Sequence, residues 1–224
     1  MNTKIKKLYS SLDREKNYPI AEALDLVKKS AKAKFDETVE LHIKLGIDPK
    51  KGEQQVRGNV VLAHNFGASK KVAAFVSADK AKEAKEAGAD LIITEAELED
   101  FKKAGKTDFD VAIATPEMMK AMAPLARILG PKGLMPSPKN ETITMNIKKT
   151  IDELKKGKIS FKNDDTANIH LAFGKASMKP EELLANYQAF IDAITKSKPE
   201  TSKGTYLKNI TICSTMGPAI KVQA

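Results

Sequence analysis

The sequence predicts an α+β discontinuous domain, an antiparallel sheet with helices, carrying an inserted α/β Rossmann-like domain with a parallel sheet. Three observations carry that reading. Segments near both ends of the chain alternate apolar and polar residues with period two. The middle instead alternates short apolar runs with helical stretches. The net charge of +9 is shared unevenly between these regions.

Residues 20–33, IAEALDLVKKSAKA, place Ile20, Leu24 and Val27 at helical spacing, with Pro19 near the start. In ETVELHIKLGI, Val39, Leu41, Ile43 and Leu45 alternate with Thr38, Glu40, His42 and Lys44, the mark of a half-buried strand with one wet face. VRGNVVLA (56–63) reads as a second strand. VAAFV (72–76), LIIT (91–94) and VAIA (111–114) then form a series of short apolar runs. Helical stretches separate them, one stopping at Gly88 and one covering 95–103. PEMMKAMAPLARILG gives a third helix, with Pro116 in its first turn and Gly130 just past its end. This order calls for a parallel sheet with helices on both faces.

After about residue 157 the earlier pattern returns. KISFK (158–162) and ANIHLAFG (167–174) read as a hairpin, with Ile169, Leu171 and Phe173 on one face and Asn168 and His170 on the other. A helix over 181–196 follows Pro180, and a last strand covers 206–214. The outer domain is therefore residues 1–65 plus 158–224, and the insert is 66–157. The insert holds 16 basic and 14 acidic residues; the rest holds 22 and 15, so the charge that would draw an anionic partner sits mostly on the outer domain.

No apolar run approaches the roughly 20 residues of a membrane helix, and the N-terminal stretch MNTKIKKLYSSLDREK has no apolar secretory segment. The lone Cys213 excludes an intramolecular disulfide and a multi-cysteine metal site. These features point to the cytoplasm and to no membrane partner.

Catalytic signatures are weak. The turn after the first apolar run of the insert, SADKAK, lacks the glycines a dinucleotide pyrophosphate needs. GPKGLMPSPK (130–139) has the wrong spacing for a triphosphate cradle, and its prolines remove N–H donors. It reads as a rigid loop after a helix. The histidines, His42, His64 and His170, show no metal-ligand spacing. No cofactor, metal or catalytic residue is expected. The competing classes are an α/β enzyme acting on an anionic substrate and a basic module for duplex DNA or membrane surfaces.

Four segments carry a more specific signal: KFDETVELHIKLGIDPKK, GPKGLMPSPK, KNDDTANIHLAFGK (162–175) and STMGP (214–218). In that order they closely resemble the family of large-subunit ribosomal protein number one, the protein of the mobile "L-one" stalk. The resemblance runs from about residue 5 to the C-terminus. It implies a structural protein that binds the stalk segment of large-subunit ribosomal RNA and aids release of deacylated tRNA from the exit site. It also implies repression of the protein's own messenger RNA, and a monomer away from the ribosome. Carried over by motif, the RNA-binding set is Lys34, Phe35, Thr38, Glu40 and Lys44, then Asp164 and His170, then Thr215, Met216 and Gly217. Lysines neutralise phosphates, while hydroxyls and an approachable backbone suit the sugar 2′-OH. The carboxylates repel phosphate and can only accept from a 2′-OH or a base amine. The chain departs from the family in the crossing segment LAHNFGASKK, where Ala63 and Asn65 stand for a proline and a glycine and the lysine arrives at Lys70. Asn209 stands where the family often has serine.

Overall fold

The computed structural model describes residues 16–67, 71–104 and 107–223. The charged stretch before Lys16, Lys70 of the crossing segment and the Lys139 side chain lie outside the described residues. In chain order the elements are α1 (Ile20–Ser30), β1 (Thr38–Leu45), β2 (Arg57–Val61), β3 (Val72–Phe75), α2 (Ala81–Glu86), β4 (Leu91–Ile93), α3 (Leu98–Ala104) and β5 (Val111–Ala114). Then come α4 (Met118–Ala121), α5 (Ala126–Leu129), α6 (Ile147–Lys155), β6 (Lys158–Lys162), β7 (Asn168–Lys175), α7 (Pro180–Lys196), β8 (Leu207–Ser214) and β9 (Ile220–Val222). The chain divides into two compact units, one from the residues up to Phe66 and from Ile159 onward, the other Gly67–Lys158.

The two-segment unit is organised by β1. The sheet order is β7-β1-β8-β9, with antiparallel pairing throughout. Val39, Leu41, Ile43 and Leu45 point into the core, and the polar residues between them stay half-exposed. Ile169 and Phe173 of β7 and Ile210 and Ile212 of β8 extend the dry face, against Leu24 and Val27 of α1 and Phe190 and Ile194 of α7. Helix α7 begins with Pro180, which needs no intrahelical N–H partner there. The Glu182 carboxylate accepts from the Lys179 N–H at 3.1 Å, satisfying a donor at the same end.

Two expectations need correction here. Segments 158–162 and 167–174 do not form a hairpin: β6 joins β2 in a separate two-stranded sheet, and β7 pairs with β1. Asn163 explains the divergence. Its N–H donates to the Val56 carbonyl and its Oδ1 accepts from the Val56 N–H, holding the end of β6 beside β2. The turn that follows, with Ala167 at φ 62°, then redirects the chain toward β1. Nor is the strand expected over 206–214 the last: the three-residue β9 follows β8 and is shorter than the length at which periodicity is readable.

The Gly67–Lys158 unit holds a parallel sheet of order β4-β3-β5. Alternation divides its cores. Ala73, Phe75, Ala112 and Ala114 pack with Met118, Met122, Leu125 and Leu129. Val72, Ala74 and Ile113 pack with Ala84 of α2 and with Ile147, Ile151 and Leu154 of α6. Helix α6 is missing from the sequence reading, although those three residues keep helical spacing. The single helix expected before Gly130 is broken instead into α4, a 3₁₀ turn at Ala123–Leu125, and α5. Pro124 within that turn has no N–H to continue an α ladder. Gly130 itself is right-handed, at φ −59°.

The GPKGLMPSPK segment is pinned by backbone bonds: Gly133 N–H to the Gly130 carbonyl (3.0 Å) and Leu134 N–H to the Leu129 carbonyl (3.0 Å). Gly133, at φ 70°, takes the left-handed turn that glycine adopts without strain. The chain then returns to β5, where the Thr142 carbonyl accepts from the Ala114 N–H at 3.0 Å.

In the two-segment unit, Asn186 on α7 is wholly buried and fully used. Its Nδ2 donates to the carbonyls of His64 (2.8 Å) and Phe173 (2.9 Å), and its Oδ1 accepts from the His64 N–H (2.9 Å). Replacing it with leucine strands three backbone groups. Asn186→Leu is expected to lower unfolding free energy by about 3 kcal/mol, measured by urea denaturation; a loss near zero would mean that water replaces all three bonds.

Candidate nucleic-acid interface

The face of the four-stranded sheet opposite the helices presents polar side chains in register. His42 on β1 stands beside His170 on β7 and Thr211 on β8, and Lys221 on β9 continues that row. Glu40 stands between Ala172 and Cys213, and Lys44 between Asn168 and Asn209. Of the sequence-derived set, Thr38, Glu40, Lys44 and His170 therefore lie together on one surface.

At one end of this face two loops are tied together at Glu37, only 1% exposed. Its Oε1 accepts from the Ala33 N–H (2.9 Å) and its Oε2 from the Met216 N–H (3.1 Å). One carboxylate thus fixes both the loop bearing Lys34 and Phe35 and the corner bearing Thr215, Met216 and Gly217. Burial works to raise the Glu37 pKa. The converging donors, the Ala33 N–H first, then the Ser214 hydroxyl and the Met216 N–H, outweigh it and hold the group below the usual value of 4.5. Thr38 and Thr215 close the corner further. The Thr38 N–H donates to Thr215 Oγ1 (3.0 Å), and the Thr215 N–H donates to the Thr38 carbonyl (3.0 Å). Phe35 and Met216 remain outside, each 55% exposed.

Gly217 has a steric reason. A Cβ there would lie 2.3 Å from Ser214 Oγ and 2.9 Å from Ser30 Oγ. Lys175, absent from the sequence-derived set, joins the site: its ammonium donates to Thr38 Oγ1 at 2.8 Å. Simple alternation places Lys175 with Ile169, Leu171 and Phe173 on the dry side. A bulge opposite Val39 and Glu40 shifts the register and turns it outward. Glu37 also escaped, because one acidic residue before a strand carries no local signal.

Asp164 is already heavily engaged within its own turn. It accepts from the backbone N–H of Asn168 (2.6 Å), from the Thr166 hydroxyl (2.7 Å) and from the Thr166 N–H (2.9 Å). These bonds, the Asn168 N–H first, hold its carboxyl far below the usual range. The Lys44 ammonium donates to the Thr166 carbonyl, so this turn is attached to β1.

Two of the three histidines, His42 and His170, far apart in sequence, meet in space. His42 Nδ1 and His170 Nδ1 are 2.8 Å apart. His42 Nε2 lies 3.2 Å from Cys213 Sγ and 3.8 Å from Glu40 Oε2. Burial first, then the neighbouring His170, lowers the His42 pKa against the opposing pull of Glu40. Burial, assisted by Glu40, pushes the Cys213 thiol up to about 11.

A polar sheet face with cationic, hydroxyl and imidazole groups, and with exposed apolar side chains at a fixed corner, defines a surface-binding α+β protein. Comparison with protein families gives the particular kind. The sequence profile of the Ribosomal protein L1p/L10e family matches residues 27–218, and the chain belongs to that family. It is a ribosomal protein binding ribosomal RNA, from a structural and not an enzymatic family. Among the described residues no helix is long and apolar enough to cross a membrane.

Glu37 makes this end of the sheet pH-sensitive. Its folded pKa is lowered, so its stabilisation is fully present above the ordinary value of 4.5 and is lost as pH falls through the folded value. Glu37→Gln is expected to be less stable than the parent at pH 7, with the gap closing as pH falls below 4.5. Thermal melts of both proteins across that range check it; a gap independent of pH would assign the loss to packing instead of charge.

Proposed function

We propose that the open face and the corner after β8 grip a folded stalk segment of large-subunit ribosomal RNA. The contacting set is Lys34, Phe35, Thr38, Glu40, Lys44, Asp164, His170, Thr215, Met216 and Gly217, with Lys175 beside them. The observation that carries the reading is the fixed corner: Phe35 and Met216 stay exposed while the buried Glu37 carboxylate holds the Met216 N–H and, through the Ala33 N–H, the loop that carries Phe35. Phe35 and Met216 are placed to cover sugars or bases, and Lys34 and Lys44 to meet phosphates. Thr215 and the backbone at Gly217 are suited to a 2′-OH. In this reading residues 1–65 plus 158–224 form the RNA-binding domain and 66–157 the inserted one.

On the ribosome the protein aids release of deacylated tRNA from the exit site. Off it, the protein acts as a monomer in the cytoplasm and represses its own messenger through an RNA segment shaped like the ribosomal one. Resemblance to the stalk-protein family supports both roles.

Met216→Asp tests the corner. It places a carboxylate at an exposed position, so melting should be unchanged while the dissociation constant for stalk RNA rises at least about tenfold. Filter binding at fixed salt reads the affinity. An unchanged constant, or equal affinity of the parent for duplex DNA, overturns the assignment. A reporter carrying the protein's own leader sequence tests repression, which Met216→Asp should relieve.

A further inference from the structure

We propose that Glu40, His42 and Cys213 form a binding site for a zinc-class divalent cation on the open sheet face. Their ligand atoms all lie within 4.8 Å of one another, the one such grouping among the described residues. No sequence motif announces it, because Cys213 is 171 residues from His42. The sheet creates the site: Glu40 and Cys213 are register partners on β1 and β8, and His42 lies two residues along β1 on the same face.

The donor types select the metal class. A thiolate, an imidazole and a carboxylate together suit Zn²⁺, whereas hard cations such as Mg²⁺ and Ca²⁺ prefer all-oxygen sets. The spacing fits. Tetrahedral Zn²⁺, with metal–nitrogen and metal–sulfur bonds of about 2.1 and 2.3 Å, places those ligands roughly 3.5 Å apart. His42 Nε2 and Cys213 Sγ are 3.2 Å apart, and Oε2 of Glu40 is 3.8 Å from the same nitrogen. Small side-chain rotations close the set. His42 and Glu40 remain partly exposed, which leaves a fourth position open toward solvent.

A second observation concerns His42's other nitrogen. Metal-bound histidines commonly donate their remaining ring N–H to a fixed acceptor. Here His42 Nδ1 faces His170 Nδ1 at 2.8 Å, and His170 Nε2 lies 3.5 Å from Asp164 Oδ2. The Asp164 carboxylate favours the proton on His170 Nε2, which leaves His170 Nδ1 as the acceptor for His42 Nδ1–H. That tautomer directs the lone pair of His42 Nε2 at Cys213 and Glu40. Without metal, the thiol donates to this lone pair; on binding, the metal takes the place of the thiol proton, which leaves to solvent, and the thiolate becomes a ligand. His170 and Asp164 are positioning residues in this arrangement.

The test uses the full chain, reduced, with Zn²⁺ or Co²⁺ as the only added ligand. Calorimetry should show one Zn²⁺ per chain, and Co²⁺ should give a sulfur-to-cobalt charge-transfer band with the intense visible bands of a tetrahedral site. Cys213→Ser should abolish the charge-transfer band and weaken Zn²⁺ binding more than about tenfold. Glu40→Gln should weaken binding and keep that band. His170→Ala should weaken Zn²⁺ about tenfold, also keeping the band, as expected of an orienting group. Unchanged circular dichroism shows that each variant folds. No charge-transfer band in the parent, or parental Zn²⁺ affinity in Cys213→Ser, overturns the proposal.

Discussion

Strand β1 is bonded along both edges, and its side chains divide strictly between core and surface. Four aliphatic residues on its dry side are each worth about 2 kcal/mol on burial. Slipping the register by one residue would drive Thr38, Glu40, His42 and Lys44 inward and put that gain into water. The register is therefore locked by hydrophobic burial. The lock reaches the neighbours, since β7 and β8 must match their own dry faces to β1. Polar groups from three distant parts of the chain are brought to one surface by apolar ones that never touch a ligand.

The end of the sheet is ordered by a different force. Glu37 is a charge withdrawn from water, and such a group is tolerable only when donors replace its hydration. Backbone N–H groups do so here, and they come from two loops that would otherwise be free to move independently. Ser214 shows how closely the corner is packed: its buried hydroxyl is a hydrogen-bond partner of Glu37, and a Cβ at Gly217 would lie 2.3 Å from its Oγ. What results is a pair of exposed apolar side chains on a rigid base, so less ordering entropy is lost when a ligand covers them.

The parts legible in the sequence are those with a local period. Alternation in β1 placed Thr38, Glu40 and Lys44 on the wet side, and Pro180 marked the start of α7. What escaped depended on long-range geometry. The bulge in β7 reverses the parity that would have buried Lys175, and no period reveals a bulge. The false hairpin came from reading adjacency in sequence as pairing, when Asn163 holds β6 to β2. His42, His170 and Cys213 carried no spacing signal at all, because a sheet order joins them and not a motif. Pro116 and Gly130 marked the outer limits of one helix, but Pro124 between them cannot continue an α ladder, and the helix breaks there.

The outer edge of the sheet carries one last feature. Tyr18 bridges to Val222 of β9, donating its N–H to the Lys221 carbonyl and accepting from the Gln223 N–H, each at 3.0 Å. Early and late parts of the chain therefore complete one another. During synthesis, every strand of the Gly67–Lys158 unit has been made while β7, β8 and β9 do not yet exist. The inner unit can fold while the outer one still waits with β1 unpaired and its aliphatic side chains bare. The segment carrying β8 and β9, Leu207 to Val222, therefore decides when this sheet can be completed, and a nascent chain stalled before it leaves β1 with an open, aggregation-prone edge.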